Sequence, residues 1–148
     1  MDPECELHLA KKAIRKEDVE RVIAHAEETG NMFFHKDNAH CLACLRLDNT
    51  TYWVEFSRDE DVSRVLAVYS HRMLILDGFN MPARKKEISD WFCFKCKAQL
   101  ELARVKLTYL GEMLVSETFV CPTCGRVSVG REDTEKRMAL AEKMLEDK

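Results

Sequence analysis

The sequence predicts an α+β protein, in which a helix packs on an antiparallel sheet and a second small unit is built around paired cysteines. Three observations lead to this prediction: one helical apolar repeat, several segments of alternating apolar and polar residues, and two C-x-x-C pairs that flank a predicted hairpin. We therefore predict a helix-plus-sheet domain over residues 1–78, a linker over 79–89, a metal-binding hairpin domain over 90–130 and a C-terminal helix over 131–148.

Composition and charge limit the classes of function. Of the 148 residues, 46% are hydrophobic and 33% are charged, which is ordinary for a globular protein. Residues 1–78 carry a net charge of −5 and residues 79–148 carry +2, so neither part has the basic excess of a nucleic-acid binder. No apolar run approaches the roughly 20 residues of a membrane span, and the acidic N-terminus has no signal-like apolar segment. We expect a cytoplasmic protein that does not bind membranes. Nothing in the charge favours nucleic-acid binding, which stays open as a third class of function.

The first predicted element is an amphipathic helix over Lys16–Thr29. Val19, Val22 and Ala26 recur at helical spacing, and Gly30 supplies a left-handed stop. A sheet of three or four strands follows, with strands at 39–47 and 50–57 joined by a tight turn at Asp48-Asn49. Residues 62–69 fit a strand or a helix equally well, and residues 73–76 form a candidate last strand.

The second unit begins after a basic, aperiodic linker that contains Pro82. Two alternating segments, 103–110 and 113–120, predict a hairpin that turns at Gly111-Glu112. A further short strand is a candidate at 127–129. Asp133 then predicts the cap of a final helix that ends near Glu146 and carries the apolar residues Met138 and Met144.

The main functional candidate is a four-cysteine site. Cys93 and Cys96 form one pair, Cys121 and Cys124 form the other, and 24 residues separate the pairs. This is the layout of a zinc ribbon, because two tight turns at one end of a hairpin can close a tetrahedral cage of four thiolates. We predict a structural Zn²⁺ held by these four cysteines. Iron in a rubredoxin-like site is the alternative, although Lys97 stands where such a turn usually has glycine.

The other cysteine pair, Cys41 and Cys44, lies in a predicted strand, which would place the two side chains on opposite faces. If the segment were instead a turn, His35 and His40 could join the pair in a second zinc site. For the pairs Cys93/Cys96 and Cys121/Cys124, metal-free dithiol chemistry is a weaker alternative, because both pairs flank predicted strands and neither stands at the start of a predicted helix. His71 has no catalytic partner that the sequence reveals, and we expect it to be structural.

Two parts of the chain resemble known families. Residues 90–148 resemble a small family of zinc-ribbon-like proteins of anaerobic bacteria to which a redox role is assigned. The resemblance is carried by Phe92–Cys96, Val105–Gly111, Cys121–Gly125 and Met144–Lys148. The N-terminal part resembles an α+β module found in or beside flavin- and iron–sulfur-dependent oxidoreductases, through Glu17–Ile23, Thr51–Glu55 and Tyr69–Met73. Together the resemblances imply an accessory protein of anaerobic redox metabolism.

No phosphate-binding loop, nucleophile elbow or catalytic triad is visible in the sequence. We therefore expect no catalytic site and no site for an organic cofactor. We expect instead that the chain is a metal-stabilised subunit that docks onto a larger oxidoreductase. The Met-rich C-terminal helix or the face that carries Trp53 would make the contact. The alternative is a small electron-transfer protein in which the same four cysteines hold iron.

Overall fold

Helix α1 opens the part of the chain that the computed structural model describes, residues 14–59 and 62–147. It spans Lys16–Thr29, as predicted. Val19 and Val22 are buried on the side that faces the sheet. Gly30 ends the helix at φ 76°, and its N–H donates to the carbonyl oxygen of Ala26 at 2.7 Å.

Nine strands follow α1 within the described residues, and each paired strand is antiparallel to its neighbours. They are β1 (Met32–His35), β2 (His40–Leu47), β3 (Thr50–Asp59), β4 (Val62–His71), β5 (Leu74–Pro82), β6 (Ile88–Cys93), β7 (Gln99–Tyr109), β8 (Glu112–Val120) and β9 (Val127–Ser128).

One sheet joins both halves of the chain. Its order is β4-β3-β2-β1-β6-β7-β8-β9, and β5 lies beside the second half of β7. The link between the halves is the pairing of β1 with β6, in which Phe33 lies opposite Cys93. The α+β prediction is therefore confirmed, with a larger sheet than the three or four strands expected for the first unit.

Two hydrophobic clusters cover the two faces of the N-terminal strands. The first packs α1 against one face and contains Val22, Val54 and Phe56. The second lies on the opposite face, where Trp53 and other residues of the N-terminal strands meet side chains from the C-terminal half: Val105, Leu107, Val129 and Met138. The two predicted domains thus share a core, and the division of the chain at residues 79–89 stays a prediction.

The C-terminal helix packs across this shared core. The chain is helical from residue 131, Asp133–Met138 has π-helical hydrogen bonding, and α2 continues over Ala139–Glu146. The prediction that Asp133 caps the helix is wrong, because helical residues precede it. Near the helix start, Thr134 donates from both its N–H and its hydroxyl to the carbonyl oxygen of Gly130.

Local differences from the predicted elements are small. The β7–β8 turn consists of Leu110 and Gly111, both at positive φ, one residue earlier than expected. The ambiguous segment 62–69 is strand β4. Strands β5 and β6 extend into the predicted linker, which leaves residues 83–87 between them.

No helix in the described ranges is long and apolar enough to cross a membrane.

Candidate metal centre

The first cysteine turn follows strand β6. The N–H of Cys93 donates to the carbonyl oxygen of Ala98 at 2.9 Å, and the N–H of Lys97 donates back to the carbonyl oxygen of Cys93 at 2.8 Å. Lys97 takes φ 55°, the left-handed conformation that glycine most often supplies. Lysine at this position therefore still permits the turn, and Lys97 does not argue against iron.

The second cysteine turn follows strand β8 and repeats the first. The N–H of Cys121 donates to the carbonyl oxygen of Arg126 at 2.9 Å, and the N–H of Gly125 donates to the carbonyl oxygen of Cys121 at 2.9 Å. Gly125, at φ 78°, occupies the position of Lys97. Each turn is thus closed by the same pair of backbone hydrogen bonds, which directs both cysteines of a pair toward one side.

The two turns bring four sulfur atoms together. The Sγ atoms of Cys93, Cys96, Cys121 and Cys124 all lie within 4.8 Å of one another, and those of Cys93 and Cys124 are 3.9 Å apart. A tetrahedral site with metal–sulfur bonds of about 2.3 Å has sulfur–sulfur edges of about 3.8 Å. The cluster therefore fits a tetrahedrally coordinated metal ion, and the spacing suits zinc and iron equally.

The protein surroundings favour a thiolate at Cys121. Burial, the largest influence on Cys121, opposes ionisation, yet hydrogen bonds from the backbone N–H groups of Cys124 and Thr123 hold the pKa of Cys121 below its ordinary value. Burial, followed by hydrogen bonds among the cysteine side chains, raises the pKa of Cys96 to about 12. A bound cation supplies the positive charge that would keep all four sulfurs ionised.

The centre is also tied to the N-terminal half of the chain. The N–H of Phe94, inside the first turn, donates to the carbonyl oxygen of Met32 at 2.9 Å. The side chain of Arg126, beyond the second turn, donates to Asn31 Oδ1 at 2.8 Å. The ammonium group of Lys97 lies 5.5 Å from the centroid of the Phe34 ring on β1. The cysteine turns thus abut the segment that links α1 to β1.

The second candidate site does not form. Cys41 and Cys44 lie on strand β2, where Cys41 belongs to the cluster beneath α1 and Cys44 packs against the opposite one. His40 faces Glu55 across the strands, and the ring of His35 packs edge-on against Trp91. Within the described ranges, the four centre cysteines are the only group of three or more metal-ligating residues close enough to share an ion.

His71 has a structural role in the core. Its Nε2 accepts a hydrogen bond from the Trp53 indole N–H at 2.9 Å, and its Nδ1 lies 2.9 Å from the carbonyl oxygen of Met73. Because the indole can only donate and the carbonyl can only accept, His71 is neutral with its proton on Nδ1. The sequence offered no sign of this arrangement, since the donor stands 18 residues away in the chain.

The four cysteines of the centre lie in a segment of the chain that matches a known family model. A family model described as a domain of unknown function, DUF7479, matches residues 89–148, which include all four cysteines of the centre. No curated protein and no solved structure matches the chain. The description of the family assigns no redox role, so the redox association implied by resemblance stays a hypothesis. Residues 89–148 of this chain are similar to that family.

Proposed function

We propose that this chain is a metal-stabilised accessory subunit, in which a structural Zn²⁺ is held by Cys93, Cys96, Cys121 and Cys124. The observation that carries the proposal is the closed group of four sulfurs between two equivalent turns. Four thiolates complete a tetrahedral zinc site and leave no position for a substrate. The metal would therefore hold the fold together, and the activity of the complex would belong to a partner.

The exposed side of the C-terminal helix supports a docking role. Leu140 and Met144, one helical turn apart, are 60% and 62% exposed. Large apolar side chains that face water next to one another are typical of protein-contact surfaces. The other expected contact, the face of Trp53, is excluded because this side chain is 1% exposed and stacks on Tyr69 in the core.

The sheet provides a second apolar surface. Leu74, Thr108 and Met113 are register neighbours across β5, β7 and β8, and the next row contains Val115. Leu74, Met113 and Val115 are 40%, 58% and 54% exposed. The partner would bury one or both of these surfaces. Its identification as an oxidoreductase rests on the resemblance of both parts of the chain to redox-associated proteins.

Elemental analysis and a visible spectrum of protein purified without oxygen test the metal assignment. We expect one zinc per chain and no colour. A protein that carries no metal and offers four reactive thiols at the centre would contradict the proposal. Cys44→Ser is the matched control, because it removes a half-buried thiol outside the centre and should leave the metal content unchanged.

Electron transfer remains a second candidate, and one observation favours it. Cys124 is exposed, so an iron atom bound at the centre would have a ligand sulfur at the protein surface. The same measurement separates the two functions. Iron with intense thiolate charge-transfer bands would make the chain an electron carrier, whereas a colourless zinc protein would exclude that role.

Co-purification tests the docking role. An affinity-tagged chain expressed in its native cells should retain a flavin- or iron–sulfur-containing subunit. Replacing both Leu140 and Met144 with aspartate should abolish retention if the helix is the contact. Leu66→Asp serves as the matched control, because Leu66 is 37% exposed on strand β4 and belongs to neither of the two surfaces defined above. Retention of no such subunit by the wild-type chain would contradict the proposed role.

A further inference from the structure

We propose that Cys124 is a modification site at which hydroperoxides oxidise the centre, and that the product is a disulfide between Cys124 and Cys93. The disulfide would remove two of the four ligands and release the metal. This inference rests on the proposed metal site and adds that peroxide oxidation releases the metal from it. It follows from the unequal exposure of the four cysteines and from the short distance between the sulfur atoms of Cys93 and Cys124.

The four cysteines differ sharply in their access to solvent. Cys93 and Cys121 are each 1% exposed, Cys96 is half-buried, and Cys124 is exposed. A surface cavity of about 1030 Å³ lies against the second turn and is lined by Cys121 and Cys124. The cavity lies between that turn and residues 81–88, where Lys85 and Lys86 contribute to its wall. A small oxidant therefore reaches Cys124 before the other ligands.

A second sulfur lies within reach of the oxidised one. The Sγ atoms of Cys93 and Cys124 are 3.9 Å apart, and a disulfide bond is about 2.05 Å long. Closing that gap requires each sulfur to move by about 1 Å, a shift within the range of side-chain rotation. Because Cys93 is shielded from solvent, we expect it to act on the oxidised Cys124 and not to meet the peroxide directly.

The chemistry balances with hydrogen peroxide as the oxidant. The Cys124 thiolate attacks one peroxide oxygen, the O–O bond breaks, and a sulfenic acid forms while the other oxygen leaves as water after taking a proton. The Cys93 thiolate then attacks the sulfenic sulfur, and hydroxide leaves and becomes water with a second proton. Two thiolates, one peroxide and two protons thus give one disulfide and two waters. Cys96 and Cys121 remain as ligands, too few for a closed tetrahedral site.

The first test uses the wild-type protein with its metal bound. Hydrogen peroxide is added with dimedone, which traps sulfenic acids, and released zinc is followed with a chromogenic chelator. Mass spectrometry of early samples should find the dimedone adduct on Cys124, and samples without dimedone should contain the Cys93–Cys124 disulfide. One zinc should be released per disulfide, and a phosphine reductant with added zinc should restore the original state.

Two matched variants test the role of exposure. Cys124→His replaces the exposed thiolate with a nitrogen ligand that zinc accepts, and Cys96→His does the same at the half-buried position. We expect peroxide to release zinc about tenfold more slowly from Cys124→His than from the wild type, whereas Cys96→His should release it about as fast. Cys44→Ser should behave like the wild type, since Cys44 lies outside the centre.

The possible outcomes separate this inference from the proposed function. A first adduct on Cys93, Cys96 or Cys121 would overturn the assignment of Cys124 as the oxidised residue. A disulfide between any other pair, including Cys121 and Cys124, would overturn the Cys93–Cys124 product. Zinc that stays bound while peroxide is consumed would overturn the oxidative release and leave the structural metal intact. A chain that binds no metal would overturn both proposals. The wild-type measurement decides the question even if neither histidine variant folds.

Discussion

His71 shows how a buried polar side chain makes stability depend on pH. Burial lowers the pKa of His71 to about 4, and its two ring nitrogens are held by Trp53 and the Met73 carbonyl. In the unfolded chain the imidazole has a pKa near 6.5, so the unfolded state binds more protons between the two values. The contribution is therefore fully present above about pH 6.5 and is lost as pH falls toward 4.

We predict that the wild type loses about 3 kcal/mol of stability through this residue between pH 7 and pH 4, since each unit of pKa shift corresponds to about 1.4 kcal/mol. His71→Gln keeps a donor and an acceptor but does not titrate, so the variant should show a shallower loss over the same range. Urea unfolding at a series of pH values gives the comparison. Parallel stability curves for the two proteins would contradict the prediction.

At the scale of single elements, Glu142 fastens the C-terminal helix to the turn between β4 and β5. This carboxylate is 4% exposed and accepts hydrogen bonds from the backbone N–H groups of Arg72 at 2.7 Å and Met73 at 3.0 Å. The Arg72 side chain adds an ion pair at 3.3 Å. Removing the carboxylate would leave buried donors without an acceptor, which costs more than the loss of an exposed contact.

Glu142→Ala should therefore destabilise the protein by about 2–3 kcal/mol and increase hydrogen exchange at the amides of residues 72 and 73. Glu132→Ala on the same helix is the matched control. Glu132 is exposed and pairs with Lys136 at the surface, so its loss should change stability by less than about 0.5 kcal/mol. Equal effects of the two substitutions would contradict the assigned role of Glu142.

Most elements were predictable from local sequence pattern, and the exceptions have physical causes. Helix α1 has the predicted bounds because the apolar repeat indicates a helix and Gly30 marks the point where it ends. Strand β4 was ambiguous because a β-bulge opposite Glu55 and Phe56 interrupts its alternation. Val65 and Val68, three residues apart as on a helix, both reach the cluster beneath α1. The end of β5 was assigned to a linker because it contains Pro82, which an edge strand tolerates.

The four cysteines of the centre could be identified from the sequence, since two C-x-x-C pairs beside a hairpin specify which residues meet. The contacts between the centre and the N-terminal half could not be predicted. The hydrogen bond from Phe94 to Met32 and the pairing of β1 with β6 join residues about 60 positions apart, and no local pattern records them. The same holds for the shared core, in which Trp53 meets side chains from beyond residue 100.

At the scale of the whole molecule, these connections mean that loss of the metal should affect both halves of the chain. Cys93→Ser removes a ligand that is 1% exposed and part of the shared core. At free zinc about 1,000-fold above the dissociation constant, losing the metal removes about 4 kcal/mol of folding stability. We predict that this variant loses its zinc, that exchange protection falls across residues 90–130, and that the loss extends into β1 through Phe33 and Met32.

Hydrogen exchange followed by mass spectrometry measures this spread directly, with Cys44→Ser as the control that retains both zinc and protection. Chelation of zinc from the wild type should reproduce the pattern of Cys93→Ser, because both remove the same cross-link between the turns. Strand β1 pairs with the strand that ends at Cys93, where Phe33 lies opposite Cys93, so we expect β1 to lose protection when the centre is lost. Helix α1 packs on β2 and β3 through a different hydrophobic cluster. We therefore expect α1 to stay protected longest.

Unchanged metal content and unchanged exchange protection in Cys93→Ser would contradict a structural role for the centre. Loss of protection confined to residues 90–130 would show that the two halves fold independently despite their shared core.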